Sequence, residues 1–212
     1  MIGIKELKIA DYFPQITEEK LASDEELYFA WWLVDLYKAG YVLNALHEPT
    51  TFELSDAVTK PYRIETQLKT KLKVVDGTEQ VLDGLVYTPD FAIQWSEKAI
   101  GIFCATLDNP GKITYKNNPI MQIVRKRGVD YWGYVEIKPD FDYNNMTRAA
   151  KIKMNWTYQK HGVFVNLCKV GKSFFKKTFT PERYYYNNKN GKRRAIKFNP
   201  RTLGEFINSL SK

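Results

Sequence analysis

The sequence has very few of the residues that build zinc sites and disulfide frameworks. Its 212 residues include two cysteines and two histidines. Because a zinc site needs about four Cys or His ligands in close pairs, a zinc finger, a zinc ribbon and a His-Asn-His nuclease site are excluded. Cys104 and Cys168 stand alone in apolar runs. We therefore expect two buried free thiols in a reducing compartment.

Long apolar segments are also lacking. No run of 18 apolar residues occurs, and the chain carries charge within its first five residues, so neither a transmembrane helix nor a signal peptide is expected. We expect a cytoplasmic protein (host cytoplasm if the chain is viral) without membrane association. An apolar content of 44% and an aromatic content of 15% exclude general disorder and predict a single domain with a proper core.

Acidic residues are scarce in the last third of the chain. Residues 143–212 carry 16 Lys and Arg against 2 Asp and Glu, a net charge of +14, whereas residues 1–142 carry 16 against 22, a net of −6. This segregation indicates a polyanion as the partner of the basic third. A solvated basic face is the alternative, but it does not need basic residues to be separated from acidic ones along the sequence.

Two strand-like stretches carry the residues on which the functional hypothesis depends. The first, 85–91, contains Pro89-Asp90, and the second, 131–139, contains Glu136-Ile137-Lys138. Strand alternation places Glu136 and Lys138 on one face, about 7 Å apart, and Pro89 suits a strand end. If the strands are neighbours, Asp90 and Glu136 converge beside Lys138. Two carboxylates suit a hard cation such as Mg²⁺ or Mn²⁺.

This pattern resembles the PD-(D/E)XK nuclease superfamily, which includes type II restriction enzymes, Holliday-junction resolvases and phage endonucleases. The resemblance implies that Asp90, Glu136 and the Ile137 carbonyl bind metal while Lys138 positions the attacking water. It also implies an α/β fold, with a restriction-endonuclease-like αβββαβ core and a mixed central sheet. Forty-five residues separate Asp90 from Glu136, so we expect an insertion between the motif strands.

The function implied by this resemblance is Mg²⁺- or Mn²⁺-dependent hydrolysis of DNA. The partner is duplex or branched DNA, in the setting of phage replication, recombination or packaging. Many members of the superfamily act as dimers, which makes a homodimer a possible assembly. The alternative function is a non-catalytic DNA-binding or virion-assembly module on the same fold. A β-rich structural protein without a nucleic-acid role is a third hypothesis, and it leaves the charge segregation unexplained.

A helix is predicted ahead of the motif strands. Ser23 suits an N-cap, Glu26 completes a capping box, and the helix is expected to run to about Ala39 before Gly40. A strand should follow over 41–46. Many resolvase-like members begin with a helix that bears a glutamate, so the resemblance makes Glu26, or else Glu25, a third catalytic carboxylate. Plain helix capping explains Glu26 at least as well.

Residues 50–107 are predicted to be rich in β-structure. Alternation over 64–75 predicts a strand, Asp76-Gly77 predicts a hairpin turn, and the apolar run 99–107 predicts a central strand. Asp83 is a rival metal ligand to Asp90, but Gly84 after it favours a turn. Residues 108–130 form the expected insertion, with a short amphipathic helix over 120–127. Its basic end, 125–127, either contacts phosphate or adds solubility.

A second helix over 146–160 and a strand over 163–168 complete the order expected after Lys138. We expect this helix to bury Ala149, Ile152 and Trp156 and to present Arg148 and Lys151 to phosphate, although surface residues without a partner are the alternative. In the basic extension, Asn190-Gly191 predicts a β-hairpin between 184–186 and 195–198, followed by a helix over 202–210. Four residues near the hairpin tip are candidate nucleic-acid contacts: Lys189, Lys192, Arg193 and Arg194.

One domain is therefore predicted over 1–212. It divides into a lead-in (1–21), a helix and β-rich first half (22–107), the insertion (108–130), a strand-helix-strand unit (131–169) and the basic extension with its hairpin and helix (170–212).

Overall fold

The fold is built on a six-stranded mixed sheet. A computed structural model describes residues 8–106, 122–140, 146–186 and 192–210. The helices are α1 (Asp24–Lys38), α2 (Met146–His161), α3 (Lys172–Lys177) and α4 (Leu203–Leu210). The strands are β1 (Val42–His47), β2 (Phe52–Ser55), β3 (Val58–Gln67), β4 (Leu72–Leu82), β5 (Leu85–Tyr87), β6 (Phe91–Trp95), β7 (Cys104–Thr106), β8 (Gln122–Arg127), β9 (Asp130–Pro139) and β10 (Val165–Val170).

The predicted first helix and strand are confirmed. The Ser23 hydroxyl accepts a hydrogen bond from the Glu26 N–H at 3.2 Å, which caps α1, and Gly40 after the helix has the positive φ of 75° that favours glycine. β1 follows within four residues of the end of α1. Local capping signals were therefore sufficient to define this part of the fold.

β9 lies at the centre of the main sheet. One edge pairs with β6 antiparallel, from Phe91–Val135 to Trp95–Tyr131, and β1 pairs with the far side of β6. The other edge pairs with β8 antiparallel and then with β10 parallel, and β7 lies parallel to β8. A parallel β9–β10 pair needs a crossover connection, and α2 provides it. The α/β class and the mixed sheet are confirmed.

One face of the sheet packs against α1 in an aromatic core. Phe29, Trp32, Leu33 and Leu36 of α1 are fully buried. The Phe29 ring lies 5.3 Å from that of Phe91, and Trp32 stacks on Phe179 from the C-terminal extension at 5.6 Å. Both ends of the described chain join this core through five further buried residues: Ile9, Phe13, Ile16, Phe175 and Phe206. The lead-in and the extension therefore belong to the same domain core.

The opposite face of β9 carries polar residues. Side chains alternate along a strand, so Val135 and Ile137 enter the aromatic core while Glu136 and Lys138 lie on the other face. A small second cluster of buried residues, Leu54, Tyr87 and Val165, packs there together with Tyr134. β2 and β5, which pair with each other, bring Leu54 and Tyr87 to this face. One strand thus contributes both to the core and to a polar site.

The β-rich segment differs from the prediction in the position of its turn. β3 and β4 form a long antiparallel hairpin whose turn lies at 68–71, where the Leu68 N–H donates to the Lys71 carbonyl at 2.9 Å. Asp76-Gly77 lies inside β4 instead, and Gly77 is placed under the Tyr62 ring, where an added Cβ would lie 2.6 Å from Tyr62 Cζ. The glycine therefore serves close packing rather than a turn.

Two further predictions about secondary structure are wrong. Over its described part, 99–106, the predicted central strand is a turn followed by the short strand β7 at one end of the sheet. The proposed helix over 120–127 is strand β8 over its described part, because pairing with β9 gives Arg125, Lys126 and Arg127 a strand partner each. Residues 107–121, which include most of the predicted insertion, lie outside the described residues.

α2 has the predicted bounds but buries a different face. Thr147, Ala150 and Thr157 are buried, whereas Ile152 and Trp156 are 55% and 43% exposed. The Thr157 hydroxyl donates to the Lys153 carbonyl at 2.8 Å, which satisfies its polar group inside the helix and permits burial. The assignment of Ala149, Ile152 and Trp156 to the buried face was wrong for this reason.

The C-terminal extension keeps its helix but has no extended hairpin in its described part. Glu182–Tyr185 is a 3-10 helix, and one antiparallel bridge joins Tyr186 to Arg193. The predicted turn residues Asn190 and Gly191 lie outside the described part of the chain. The buried thiols of Cys104 and Cys168 are free, as predicted.

Candidate active site

Asp90 reaches across the end of the β6–β9 ladder. The ladder stops at the Phe91–Val135 pair, so β6 offers no further backbone acceptor towards the C-terminal half of β9. The Asp90 carboxylate supplies one, since its Oδ2 accepts a hydrogen bond from the Ile137 N–H at 2.5 Å. The Asp90 carbonyl in turn accepts from the Glu48 N–H at 2.9 Å. The Pro-Asp and Glu-x-Lys segments are thereby joined directly.

Glu136 is buried and both of its carboxylate oxygens are engaged. Lys138 Nζ donates to Glu136 Oε1 at 2.6 Å and to the Ile137 carbonyl at 2.9 Å. The Tyr87 hydroxyl donates to Glu136 Oε2 at 2.8 Å. The lysine ammonium therefore rests on two oxygen atoms that the resemblance assigns to a metal ion.

Glu26 extends this cluster from the N-terminus of α1. Its Oε2 accepts from the Ala22 N–H at 3.0 Å and pairs with His47 Nε2 at 3.2 Å. His47 ends β1 and lies opposite Phe91 in the register, next to Asp90. Glu26 thus caps the helix and also belongs to an acidic cluster with Asp90 and Glu136. The neighbouring Glu25 is partly exposed.

The pKa of Asp90 is raised from 3.8 to about 7. Burial is the largest cause, followed by the negative charge of Glu136, and Glu26 adds to it, while the Ile137 N–H and Lys138 act in the opposite direction. Carboxylates crowded in this way favour the protonated form of one member. A bound cation would relieve the same repulsion, so this site gains electrostatically from positive charge.

The Glu26–His47 pair shifts in the sense expected of an ion pair. Burial acts to raise the pKa of Glu26, but hydrogen bonds from His47, the Ala22 N–H and Ser23 outweigh it, and the pKa is lowered. The hydrogen bond to Glu26 raises the pKa of His47 against the opposing effect of burial. Burial and the charge of Glu136 raise the pKa of Tyr87, so its phenol remains a hydrogen-bond donor.

The predicted nucleic-acid contacts lie on two elements, α2 and the C-terminal extension. Arg148 and Lys151 are exposed on α2, and Lys151 lines a groove of about 610 Å³ between α2 and β10. Lys192 and Arg193 are exposed, and Lys189 lies outside the described residues. Arg194 is a correction: its guanidinium donates to the Tyr28 hydroxyl at 3.0 Å and lies over the Tyr184 ring at 4.4 Å. It ties the extension to α1 rather than projecting from a tip.

Asp83, the rival to Asp90, is exposed at the end of β4 and accepts a hydrogen bond from Gln80 at 2.5 Å.

Sequence reasoning missed Tyr87 and His47. Tyr87 lies three residues before Asp90, in a strand whose alternation was too short to assign a face. His47 follows a strand that was predicted to end at Leu46, so its position opposite Phe91 depends on pairing that no local pattern reveals.

The donor set suits a hard cation in its chemistry. Asp90, Glu136 and the Ile137 carbonyl offer only oxygen, as Mg²⁺ prefers, and two of these oxygens already hold the Lys138 ammonium. A larger cluster is not seen: across 8–106, 122–140, 146–186 and 192–210 no group of three or more His, Cys, Asp or Glu residues is arranged to hold a metal. A metal here would rely on two carboxylates and a carbonyl.

Comparison with family models, with curated proteins and with solved structures finds no match to this chain. Among the described helices, none is both long and apolar enough to cross a membrane.

Proposed function

We propose that this protein is a Mg²⁺- or Mn²⁺-dependent endonuclease that hydrolyses DNA phosphodiester bonds. The observation that carries the proposal is the direct contact between the two motif segments, the Asp90 carboxylate on the Ile137 N–H. It brings the acid of Pro-Asp beside the acid and the lysine of Glu-x-Lys, far apart in sequence. The succession α1, β1, β6, β9, α2, β10 supports a restriction-endonuclease-like core for the same chain.

The proposed roles follow from the contacts of each residue. Asp90, Glu136 and the Ile137 carbonyl would hold the cation, which when bound supplies Lewis-acid stabilisation and a more acidic water. Tyr87 fixes one oxygen of Glu136 and leaves the other for ligation. Lys138, displaced from Glu136, would orient the attacking water and offset charge on the phosphate. The water oxygen forms the new bond to phosphorus and gives up one proton to solvent, the bond to the leaving oxygen breaks, and that oxygen takes up a proton from solvent.

The test is plasmid nicking with Mg²⁺ or Mn²⁺ and with EDTA. We expect nicking only with metal, and its loss in Asp90→Ala and Lys138→Ala while DNA binding remains. The matched controls are Asp83→Ala and Lys98→Ala, which remove an exposed acid and an exposed lysine outside the cluster, and both should nick at the parent rate. Nicking by Asp90→Ala at the parent rate would refute the assignment.

A panel of linear, forked and four-way DNA then defines the substrate. Branched substrates cut in preference to linear duplex would place the enzyme with the resolvases in its choice of substrate. Equal cutting of all three would indicate a general endonuclease.

One observation favours a second function, a DNA-binding module without catalysis. Lys138 and Tyr87 already satisfy both oxygens of Glu136, so the acid is structurally complete without a metal. DNA retention that is independent of metal, with no cleavage by any metal tested, would favour this function.

A further inference from the structure

The β3–β4 hairpin extends away from the body of the protein, and we call it the arm (58–82). Every residue of β3 is exposed, and only Gly77 of β4 is partly covered. With strands of 10 and 11 residues, the arm is about 30 Å long at a rise of roughly 3.3 Å per residue. An isolated two-stranded ribbon is marginal in water. A partner that covers the arm would stabilise it.

Charge divides the arm into a paired base and an unpaired tip. Near the base, Lys60 pairs with Glu79 at 3.1 Å and Arg63 with Asp76 at 2.7 Å. The tip, 66–75, contains Lys69, Lys71 and Lys73 and no acidic residue. All three lysines are exposed, and within the described part of the chain none of them forms an ion pair. The tip is therefore a compact site of positive charge.

The root of the arm is fixed beside the candidate active site. Gly84 lies so close to the backbone of the opposite segment that an added Cβ would meet the Ser55 carbonyl at 3.0 Å. The Ser55 hydroxyl accepts from the Leu85 N–H at 3.2 Å. β5 then leads directly to Tyr87, which holds Glu136. A substrate at the acidic cluster is thus within reach of an arm anchored next to it.

We propose that the arm grips duplex DNA, with Lys69, Lys71 and Lys73 contacting phosphates. This inference rests on the proposed function and names the element that holds its substrate. A two-stranded ribbon fits the major groove, and the length of the arm is close to one helical turn of about 34 Å. The unpaired lysines match the charge of the phosphate backbone.

A second copy of the chain is the competing occupant, since Tyr62, Ile64 and Val75 are exposed on one face of the arm. Two tips brought together would place six lysines against one another with no acid in either tip. This repulsion disfavours self-pairing at the end of the arm and leaves the polyanion as the better match.

The experiment measures duplex binding in EDTA over a range of salt concentrations, so that cleavage does not interfere. The test variant is Lys69→Gln/Lys71→Gln/Lys73→Gln. The control is Lys8→Gln/Lys20→Gln/Lys98→Gln, which removes the same charge from exposed positions outside both the arm and the basic third. We expect the tip variant to bind at least roughly tenfold more weakly, with a salt slope smaller by about 2 to 3, since each phosphate contact contributes about 0.9.

Four results would overturn this inference. Unchanged affinity and slope in the tip variant, with normal binding by the parent, would refute the role of the arm alone. An equal loss in the control variant would assign the effect to general charge. Dissociation of a dimer in Ile64→Thr/Val75→Thr, with DNA binding intact, would assign the arm to a second copy. Failure of the parent to bind DNA would refute the proposed function and the role of the arm with it.

Discussion

The two faces of β9 have different roles, although their residues alternate along one strand. Val135 and Ile137 are buried in the aromatic core against α1, whereas Glu136 and Lys138, one residue away, form an ion pair on the opposite face. The first face contributes close packing and buried apolar area. The second face carries charged groups in a largely buried environment. The comparison shows that alternate residues of one strand can contribute to the core and to a polar site. Substitutions on the two faces should therefore have different effects.

The largest effect is expected from the core face. Trp32→Ala removes a fully buried ring that stacks on Phe179 and should cost about 3–5 kcal/mol of unfolding free energy. Urea unfolding checks the value. Trp156→Ala, at a position 43% exposed, is the matched control and should cost far less. Equal losses in the two variants would contradict the assignment of the core.

On the polar face, Asp90→Asn should raise stability at alkaline pH. The unfolded carboxyl loses its proton near 3.8 while the folded one keeps it to about 7, so the stability of the parent falls as pH rises through that window and is constant above it. The variant should escape this loss, roughly 4 kcal/mol for a pKa raised by about three.

Thermal unfolding without metal, at about pH 5 and about pH 8, measures the difference in stability between Asp90→Asn and the parent. The control Asp83→Asn replaces an exposed carboxyl and keeps Asp90, so its stability should fall between these pH values as that of the parent does. A parent protein whose stability rises between these pH values relative to Asp90→Asn would contradict the raised pKa.

A smaller effect is expected from Tyr87→Phe. The variant leaves Glu136 Oε2 without its donor in a buried setting, which should cost about 1–2 kcal/mol. Tyr158→Phe, at a position 46% exposed, is the control for loss of a hydroxyl. If the two variants unfold at the same denaturant concentration as the parent, the Tyr87–Glu136 bond does not support the polar face.

The smallest effect is expected from Glu26→Gln, at about 1 kcal/mol, because the amide oxygen can still accept from the Ala22 N–H and only the charge of the bond to His47 is lost. The pKa of Glu26 is lowered and that of His47 is raised. The pair therefore stabilises the fold above the pKa of Glu26, and the contribution of His47 is lost as pH rises through its raised pKa. The deficit of the variant should be greatest in this window and should shrink at alkaline pH. Glu25→Gln, with its side chain partly exposed, should show neither change.

Local sequence signals defined some of these elements and missed others for physical reasons. Ser23 and Gly40 mark the ends of α1 because capping depends on nearby residues. β8 was mistaken for a helix because its basic end becomes a strand only by pairing with β9, which no local pattern encodes. Asp76-Gly77 fits a tight turn equally well, but the Tyr62 ring needs that glycine within the strand. Tertiary pairing decided both cases.

The acidic cluster was predictable only in part. Alternation placed Glu136 and Lys138 on one face, and their contact at 2.6 Å follows. The contribution of Tyr87 and His47 depends on how β5 and β1 approach β6 and β9, which the sequence does not specify.

The most direct test of the account is calorimetric titration of Mn²⁺ into the parent protein and into Glu136→Gln at a pH above the pKa of Asp90. The account predicts a binding event in the parent that is lost in the variant, because the carboxylate on the polar face of β9 is a required ligand. Equal Mn²⁺ binding by both proteins, or no binding by the parent, would contradict a metal site on this face.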